Sequence, residues 1–471
     1  MDNESPTTSV IVCGGGVVGL ATALMLSRGG HTVTVCERDP SAPPADPADA
    51  WLSWERRGVA QFRQPHNLLP RFRQVLAQEL PDVLDRLVAA GCHQDSALLP
   101  LPPSVAGYVP DPDDDRFRFV TGRRPVVEAV FAAAAEDADI RIHRGTAIAG
   151  LLAGASLLPG IPHVAGVRTV DGAEFRADLV VDATGRRTPS AHWLAGIGAA
   201  GPETESEDGG FAYYTRYFTG PRLPRRRSAP FTPYGTFALL TIPGDNDTWS
   251  ITVVTGTGDA PLKALRDPEA FTRVVGACPL QAHWLDGTPI TDVVAMAGVL
   301  DCRRRFVSAG RPVATGFAAV GDAWACTNPT AARGLSIGLL HARLLRDVVR
   351  EHADDPAGFP LAWDEATERV VAPFYREQIA ADRARAAEMA PDRIGEPAPG
   401  PTPFTAAAFR DAEVFRGLLE TATCLALTRD VLARPVIRAR IADAPPAPPA
   451  SPSPMGPPGP DREQLLCLLA G

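Results

Sequence analysis

A glycine-rich segment near the start of the chain most constrains the fold. Ser9–Cys13 is a short apolar run rich in β-branched residues, and Val17–Ser27 has the apolar spacing of a helix. Between the two lies Gly14-Gly15-Gly16-Val17-Val18-Gly19, a G-x-G-x-x-G pattern. An alternating run, His31–Cys36, follows the helix, so the segment as a whole predicts a β-α-β unit.

The same segment predicts that the unit binds a dinucleotide. Gly14 permits the tight turn, Gly16 lets a pyrophosphate reach the helix N-terminus, and Gly19 allows the helix to pack closely on the strand. Glu37 ends the second strand, where its carboxylate can accept hydrogen bonds from a ribose. An acidic residue at this position favours the adenosine ribose of NAD or FAD over a ribose with a 2′-phosphate.

Composition limits the classes of partner. The 471 residues carry a net charge of −9, which provides no basic surface for nucleic acid or for an anionic membrane. No charge-free stretch is long enough to span a bilayer, and the N-terminus lacks the basic start of a signal peptide. The eight cysteines are scattered without a CxxC pair, so we expect neither a disulfide scaffold nor a metal site. These features predict a soluble, unprocessed protein in a reducing cytoplasm.

β-rich segments interrupt the α/β pattern in the middle of the chain. Phe211–Phe218 and Thr236–Ile242 are β-rich, and a turn at 243–247 connects the second segment to Trp249–Thr255. This pattern predicts an inserted antiparallel sheet. Later in the chain, the proline-rich segment Ala444–Pro460 cannot form a core and predicts a linker.

A second motif distinguishes between the two cofactors. Gly321-Asp322-Ala323 follows a buried-type apolar run and leads through Asn328-Pro329 to Arg333–Gly338, at the start of a long helix. This segment resembles, without gaps, the G-D-x-x-x-x-x-x-P-x-x-x-x-G-x-x-x-G segment of FAD-dependent monooxygenases with the p-hydroxybenzoate hydroxylase fold. FAD is therefore the expected cofactor.

The resemblance implies roles for residues of this second motif. Asp322 would bond the ribityl chain, although taken alone it also fits an ordinary turn or N-cap aspartate. Pro329 would lie beside the reactive face of the flavin ring. The backbone amides that would face the N1/C2=O edge of the ring belong to Gly334, Leu335 and Ser336. A helix N-terminus has unpaired N–H groups and a partial positive charge, which stabilises the anion formed when a flavin is reduced.

Further segments follow in the order of the same family. Arg56-Arg57-Gly58-Val59 resembles an R-x-G-V stretch in which the first arginine reaches the FAD pyrophosphate, so Arg56 is the candidate. Arg124-Pro125-Val126-Val127-Glu128 resembles the R-x-x-L-E start of a helix, which implies that Arg124 lies near the flavin phosphate or ribityl chain. Together the matches span about residues 9–350.

One segment departs from the pattern of the single-component hydroxylases. Asp182-Ala183-Thr184-Gly185-Arg186 stands where enzymes reduced directly by NAD(P)H usually carry D-G-x-x-S-x-x-R. It is more similar to flavin-dependent epoxidases, halogenases and geranylgeranyl reductases. The resemblance therefore implies that NAD(P)H supplies electrons through a separate flavin reductase.

A histidine is the one weak candidate for a catalytic side chain. The run from Gly58 to His66 resembles the G-V-x-Q-x-R-x-x-H pattern of actinobacterial polyether-type flavin epoxidases. His66 would then lie near the flavin and donate a proton. The alternative, a packed or solvent-facing histidine, is equally compatible with the sequence.

Residues of the chain also bear on three other functions. A halogenase needs a lysine between flavin and substrate and a W-x-W-x-I-P motif, but Lys263 is the only lysine and the motif is absent, which excludes that function. A reductase of the geranylgeranyl type stays open. A flavin-less escort protein would have a broken flavin segment, whereas Asp322, Pro329 and Gly334 are all present.

The sequence thus predicts an α/β fold, in which a Rossmann-type FAD-binding domain (1–200 and 296–350) contains an inserted antiparallel substrate domain (201–295). A helical C-terminal region (351–443) and a proline-rich tail (444–471) follow. The expected function is an FAD-dependent monooxygenase that uses molecular oxygen, through a flavin C4a-hydroperoxide, to epoxidise or hydroxylate an electron-rich small molecule in secondary metabolism. Aromatic candidates for the substrate pocket share one strand face: Phe211, Tyr213 and Tyr217.

Overall fold

The β-α-β unit predicted at the start of the chain is present. The structure, a computed structural model, describes residues 7–138, 140–390, 401–444 and 458–470. The unit consists of β1 (Ser9–Cys13), α1 (Val17–Arg28) and β2 (Thr32–Glu37). The two strands are parallel and in register from Ser9 opposite Thr32 to Cys13 opposite Cys36.

The chain up to residue 200 adds further elements around this unit. Its strands are β3 (His93–Ser96), β4 (Arg118–Thr121), β5 (Arg141–Arg144), β6 (Ile148–Leu158), β7 (Ile161–Thr169), β8 (Glu174–Arg176) and β9 (Leu179–Asp182). Its helices are α2 (Ala50–Ser53), α3 (Pro70–Glu79), α4 (Pro81–Ala89), α5 (Arg124–Asp137) and α6 (Ser190–Gly196).

The middle of the chain is mostly strands. They are β10 (Glu203–Asp208), β11 (Phe211–Thr219), β12 (Phe231–Pro233), β13 (Phe237–Pro243), β14 (Thr248–Gly256), β15 (Thr288–Pro289) and β16 (Val294–Ala297). One α-helix, α7 (Pro268–Gly276), lies between β14 and β15.

The rest of the chain begins with short strands and ends in helices. The strands are β17 (Leu300–Arg305), β18 (Val307–Ser308), β19 (Arg311–Pro312), β20 (Phe317–Ala319) and β21 (Ala325–Cys326). The helices are α8 (Gly334–Glu351), α9 (Phe359–Val370), α10 (Ala372–Glu388), α11 (Pro403–Ala408), α12 (Ala412–Ala422), α13 (Thr428–Ala433), α14 (Pro435–Asp443) and α15 (Arg462–Ala470).

A five-stranded parallel sheet organises the first and third parts of the chain. Its strand order is β20-β9-β1-β2-β5, and every neighbouring pair is parallel. Alternate residues of β1 point to opposite faces: Val10 and Val12 join a core with α1, α5 and α8, whereas Ile11 joins a second core with β7. Apolar burial on both faces explains why the strands are continuous apolar runs. The predicted Rossmann-type α/β fold is confirmed.

The inserted antiparallel sheet has two distinct faces. Its strand order is β12-β13-β14-β11-β15, and β16 also pairs with β11. We call the side that carries Phe211, Tyr213, Thr215 and Tyr217 the front face. The opposite side, the back face, packs against α7, where Phe271 is completely buried.

Helix α10 covers part of the front face. Its residue Ala386 and the following Met389 pack with Phe211 and Tyr213. The same helix contacts the parallel-sheet side through Tyr375, whose ring lies 6.4 Å from that of Trp324. The helix therefore connects the antiparallel sheet to the segment that follows β20. None of the helices in the described ranges is long and apolar enough to cross a membrane.

Helix α15 packs on the back face of the antiparallel sheet. Leu465 is 1% exposed and belongs to the same core as Phe271 and Trp284. Arg462 forms a bidentate ion pair with Asp259, with N–O distances of 2.6 and 2.7 Å. The linker prediction for Ala444–Pro460 falls largely on residues 445–457, outside the described residues. The apolar segment beyond it is a docked helix.

Removal of the tail tests whether it contributes to cofactor binding. Because α15 contacts the back face, truncation after Asp443 is expected to leave FAD affinity unchanged while lowering the melting temperature. Leu465→Ala alone is expected to cost about 2–5 kcal/mol of unfolding free energy. Leu466→Ala, at a side chain that is 36% exposed, is the matched control with little effect. Fluorescence titration with FAD and urea unfolding provide the measurements, and a large loss of FAD affinity on truncation would contradict the prediction.

Candidate functional site

The glycine-rich loop has the geometry of a phosphate-binding turn. Gly14 has a φ of +112°, a backbone conformation that residues other than glycine rarely adopt. A Cβ on Gly19 would lie 2.0 Å from the carbonyl oxygen of Gly14, so only glycine allows α1 to approach β1 this closely. A Cβ on Gly16 would meet no atom within 4 Å. The space above Gly16 at the N-terminus of α1 is therefore free for a pyrophosphate.

Glu37 is bonded to the same loop. Its Oε2 accepts a hydrogen bond of 2.7 Å from the Gly15 amide, and its Oε1 accepts one of 2.8 Å from the Asp39 amide. Glu37 also forms an ion pair with Arg56, and the residue is only 5% exposed. The carboxylate predicted to contact the ribose thus lies at the end of β2 beside the glycine turn, held there by two backbone amides.

Arg56 lies between two carboxylates. Besides Glu37, it pairs with Glu128 at 2.5 Å and donates to the Gly15 carbonyl oxygen at 3.1 Å. Burial opposes the charged form of Arg56, but the two carboxylates outweigh it and raise the pKa of the guanidinium above its ordinary value. The adjacent Arg57 is exposed. Arg56 therefore contacts the glycine-rich loop as a permanently charged group.

Glu128 connects Arg56 to Arg124. The Glu128 side chain is completely buried and accepts from Arg124 Nε at 2.6 Å. Both residues lie in the first turns of α5, so a spacing of four places their side chains on one helix face. The motif Arg124–Glu128 by itself indicates no partner for the Glu128 carboxylate. Its role as the shared acceptor of two buried arginines depends on a contact across 72 residues.

His66 lies against Arg124. Its Nε2 is 2.9 Å from Arg124 Nη1, and its Nδ1 is 2.9 Å from the Gln64 carbonyl oxygen. Since arginine can only donate, Nε2 accepts and Nδ1 carries the proton. Burial, together with the Arg124 charge, lowers the pKa of His66 to about 3. His66 is thus a neutral side chain whose one N–H is bonded to the backbone, and in this arrangement it has no proton to donate to a flavin.

Asp322 has a carboxylate that no protein group uses. It lies in the 3₁₀ turn Gly321–Ala323 that follows β20. Within the described residues, its carboxylate accepts no hydrogen bond, and a Cβ on Gly334 would lie 3.9 Å from its Oδ1. Burial raises the pKa of the Asp322 carboxyl, and nearby arginines, Arg124 foremost, offset part of that rise. A partly buried carboxylate without a donor is suited to a hydroxyl of a bound ligand.

The N-terminus of α8 is also free of protein partners. Arg333 occupies the N-cap position without a side-chain cap, and the first three amides of the helix make no backbone hydrogen bond within the described part of the chain. These amides belong to Gly334, Leu335 and Ser336. The Ser336 hydroxyl is buried without a partner as well. Unpaired N–H groups at a helix N-terminus form a site for an anionic or carbonyl oxygen.

Pro329 begins a 3₁₀ turn, Pro329–Ala331, directly before α8. Asn328 caps this turn and accepts a hydrogen bond from Tyr213 on the front face. Ala332 has a φ of +55°, in the left-handed region that glycine adopts more easily. We call residues Asn328–Arg333 the ring loop. The contact of Tyr213 with Asn328 shows that the front face is directed toward this loop.

The two glycine-rich motifs meet in space at α1. A Cβ on Gly321 would lie 3.0 Å from Val18 Cγ1, and a Cβ on Gly338 would lie 2.5 Å from Val18 Cγ2. Val18 lies within the glycine-rich segment Gly14–Gly19, in the first turn of α1. Segments about 300 residues apart in sequence therefore form one continuous site, because glycines at both positions let α8 and the β20 turn pack on α1.

These observations test whether FAD fits the site. The glycine turn leaves open space for a pyrophosphate, and Glu37 and Arg56 flank it. Asp322 and the N-terminus of α8 supply an unpartnered acceptor and unpartnered donors in the second motif, which packs on α1. The donors and acceptors of the two motifs thus fit a flavin dinucleotide.

Comparisons with known proteins agree with this geometry. Residues 9–48 match a family model described as FAD dependent oxidoreductase. A curated relative, Protein Rv3254 of Mycobacterium tuberculosis, is 27% identical over 377 residues, which cover 74% of each chain.

Solved structures share the fold. PqsL, a probable FAD-dependent monooxygenase from Pseudomonas aeruginosa, is 17% identical with a TM-score of 0.59 and covers 87% of this chain and 100% of its own. 2-Methyl-3-hydroxypyridine-5-carboxylic acid oxygenase is 14% identical with a TM-score of 0.58, covering 83% of this chain and 95% of its own. The flavin-dependent halogenase CmlS is 17% identical with a TM-score of 0.57, covering 82% of this chain and 66% of its own. The chain therefore shares the fold of FAD-dependent monooxygenases, and its residues 9–48 match the FAD dependent oxidoreductase model.

Proposed function

We propose that the protein is an FAD-dependent monooxygenase that transfers one oxygen atom from molecular oxygen to an electron-rich small molecule, by epoxidation or hydroxylation. The observation that carries this proposal is the meeting of the two glycine-rich motifs at Val18, which joins the pyrophosphate turn to Asp322 and the ring loop. FAD, when bound, supplies the redox chemistry that activates oxygen.

The residues of the chain would bind and orient the cofactor and exclude water. Gly14, Gly16 and Gly19 would admit the pyrophosphate, and Glu37 and Arg56 would contact its adenosine side. Asp322 would accept from the ribityl chain, and Arg124 would lie nearby. The amides of Gly334, Leu335 and Ser336 would stabilise negative charge at the N1/C2=O edge, and Pro329 would face the ring. The front face of the antiparallel sheet would border the bound substrate.

A binding measurement separates this proposal from an escort protein. Purified protein is expected to be yellow or to take up FAD, and Asp322→Ala is expected to weaken that uptake because it removes an acceptor that no protein group satisfies. Asp286→Ala, at a surface position remote from the motifs, serves as the control. Protein that binds neither oxidised nor reduced FAD by calorimetry would contradict the enzyme function. A product that gains two hydrogen atoms instead of one oxygen atom would indicate a reductase of the geranylgeranyl type.

We further propose that a separate flavin reductase delivers electrons from NAD(P)H. The departure at Asp182–Arg186 supports this, because the D-G-x-x-S-x-x-R pattern of directly reduced enzymes is missing there. In this turn Asp182 is completely buried and accepts from the amide and hydroxyl of Thr184 and from the hydroxyl of Thr188. That carboxylate is fully used within its own turn. We also propose a reducing cytoplasm as the compartment, which is consistent with eight free cysteines.

Anaerobic mixing with NADH or NADPH tests the route of the electrons. The flavin absorbance of the FAD-loaded protein is expected to bleach slowly, with or without aromatic or alkene compounds, and quickly once a flavin reductase is added. The reason is that the expected direct-reduction motif is absent at residues 182–186. Rapid bleaching by NAD(P)H alone would contradict the prediction and indicate a single-component hydroxylase.

A further inference from the structure

Hydrogen bonds from three different elements converge on the ring loop. We propose that Asp301, Tyr213 and Asp382 are the positioning residues of this loop, and that they fix Pro329 beside the flavin ring through hydrogen bonds rather than through ion pairs. This inference rests on the proposed function, because it assigns roles to further residues of the same site.

The backbone of the ring loop is not bonded to the backbone of neighbouring elements. Within the described ranges, the backbone–backbone hydrogen bond of residues 328–332 is internal, from the Ala332 amide to the Pro329 carbonyl oxygen at 2.9 Å. Proline restricts its own φ but has no N–H with which to bond elsewhere. The position of Pro329 therefore depends on its two neighbours, Asn328 and Thr330, whose side chains are buried.

Two elements hold Asn328. Asp301 of β17 accepts from the Asn328 amide at 2.6 Å, and Tyr213 of β11 donates to the side-chain oxygen of Asn328. Asp301, Tyr213 and Asn328 are all buried, so water does not compete for these bonds. Tyr213 lies on the front face. The side chain that would border the substrate therefore also holds the residue directly before Pro329.

A third element, α10, holds Thr330. The Thr330 hydroxyl donates to Asp382 Oδ1 at 2.7 Å. One turn earlier on the same helix, Gln378 Nε2 donates to Asp382 Oδ2 at 2.7 Å. Asp382 and Gln378 are both buried. The residue directly after Pro329 is thus bonded to a helix that also packs on the front face through Ala386.

The two carboxyl groups act here as hydrogen-bond acceptors. Within the described part of the chain, neither Asp301 nor Asp382 forms an ion pair, whereas Glu128 pairs with Arg56 and Arg124. Burial raises the pKa of both aspartates, that of Asp301 to about 6.

A neutral side chain of the same shape should therefore replace Asp382. The oxygen of an asparagine can accept from Thr330 as the carboxylate does, and its NH₂ group can donate to Gln378 once the Gln378 amide has turned over. The Oε1 of Gln378 is buried without a donor, so it is free to accept that bond. A leucine of similar size offers neither atom. The pair of substitutions thus separates hydrogen bonding from charge and from packing.

Hydrogen exchange and the flavin spectrum test the inference with FAD-loaded protein. Exchange of the peptide that covers residues 326–334 reports how firmly the ring loop is held, and the visible absorbance reports the surroundings of the flavin. Asp382→Leu is expected to speed exchange of this peptide roughly three- to ten-fold, the effect of one lost hydrogen bond, and to alter the flavin spectrum. Asp382→Asn is expected to match the unaltered protein in both measurements.

Further variants keep the test decisive if Asp382→Leu does not fold. Thr330→Val removes the donor of the same hydrogen bond at nearly constant shape, and Tyr213→Phe removes only the hydroxyl that holds Asn328. Both are expected to loosen the loop. Tyr214→Phe is the matched control, because Tyr214 is the next residue of the strand and packs in the core on the back face. It is expected to leave exchange and spectrum unchanged.

Three results would overturn the inference. In the first, a folded Asp382→Leu or Thr330→Val variant has a lower melting temperature but unchanged exchange in the ring loop, which indicates a general structural role. In the second, the loop loosens but the flavin spectrum does not change. In the third, Asp382→Asn behaves like Asp382→Leu, so that charge holds the loop. FAD affinity is measured first. Failure of the unaltered protein to bind FAD contradicts the proposed function, whereas any of the three results in protein that binds FAD contradicts only this inference.

Discussion

The Gly16→Val variant is expected to fold normally and to lose most of its affinity for FAD. Gly16 has φ −83° and ψ 177°, an extended conformation that valine adopts readily, and a Cβ there meets no protein atom within 4 Å. A side chain at this position would begin in the space assigned to the pyrophosphate. A steric cost of about 1–3 kcal/mol corresponds to a roughly ten- to hundred-fold increase in Kd.

Two further glycines complete this experiment. Gly19→Ala is expected to reduce both FAD affinity and stability, because its Cβ would lie 2.0 Å from the Gly14 carbonyl oxygen. Gly201→Ala is the control, since Gly201 is exposed with no atom within 4 Å of an added Cβ. Titration with FAD and thermal unfolding of the FAD-free protein separate the two effects. A Gly16→Val variant that binds FAD as tightly as the unaltered protein would show that the pyrophosphate lies elsewhere.

The Glu128→Gln variant is expected to be the least stable single substitution at the site. Glu128 is completely buried between Arg56 and Arg124. Glutamine removes the negative charge that both guanidinium groups share and replaces one acceptor oxygen by an NH2 donor that faces an arginine. Breaking a buried ion pair on one side costs about 3–5 kcal/mol. Urea unfolding measures the change. Glu136→Gln on the same helix is the control, since its side chain is 52% exposed and its ion pair contributes at most about 1 kcal/mol.

The effect of Glu128→Gln depends on pH in a defined direction. Burial alone would raise the pKa of the Glu128 carboxyl, but Arg124 and Arg56 reverse this and lower it below its ordinary value. A lowered folded-state pKa adds stability above the unfolded-state pKa, and this stability is lost as pH falls through the folded-state pKa. The two proteins should therefore differ most near neutral pH and converge in acid. A difference that is constant with pH, or one below about 1 kcal/mol at neutral pH, would contradict this account.

The sequence was informative wherever a local pattern determines local geometry. The glycine turn, the apolar run before Gly321 and the antiparallel insert were predicted because spacing along the chain reports the period and the turns of each element. The shared face of Phe211, Tyr213 and Tyr217 followed from the two-residue period of a strand. What the predicted site residues contact in a bound complex is still a prediction.

Contacts between distant segments could not be predicted in this way. The helical pattern of α10 was visible, but nothing in it indicated that Asp382 would bond to Thr330, 52 residues away. The pairing of Arg56 with Glu128 and the acceptor role of His66 Nε2 likewise depend on how the chain closes on itself. The apolar segment near residue 465 was predicted only as part of the proline-rich tail (444–471), although its leucines were the signal for a buried helix face.

The position of α15 has a consequence for the order in which the chain becomes stable during synthesis. Arg273 of α7 donates to the Leu468 carbonyl oxygen, a contact between residues 195 positions apart. A nascent chain that has not yet reached residue 462 leaves the apolar surface around Phe271 and Trp284 uncovered. Such surfaces bind chaperones or aggregate until the covering element arrives. The antiparallel sheet is therefore expected to become stable late in synthesis, after the last strand of the parallel sheet, β20, has been made.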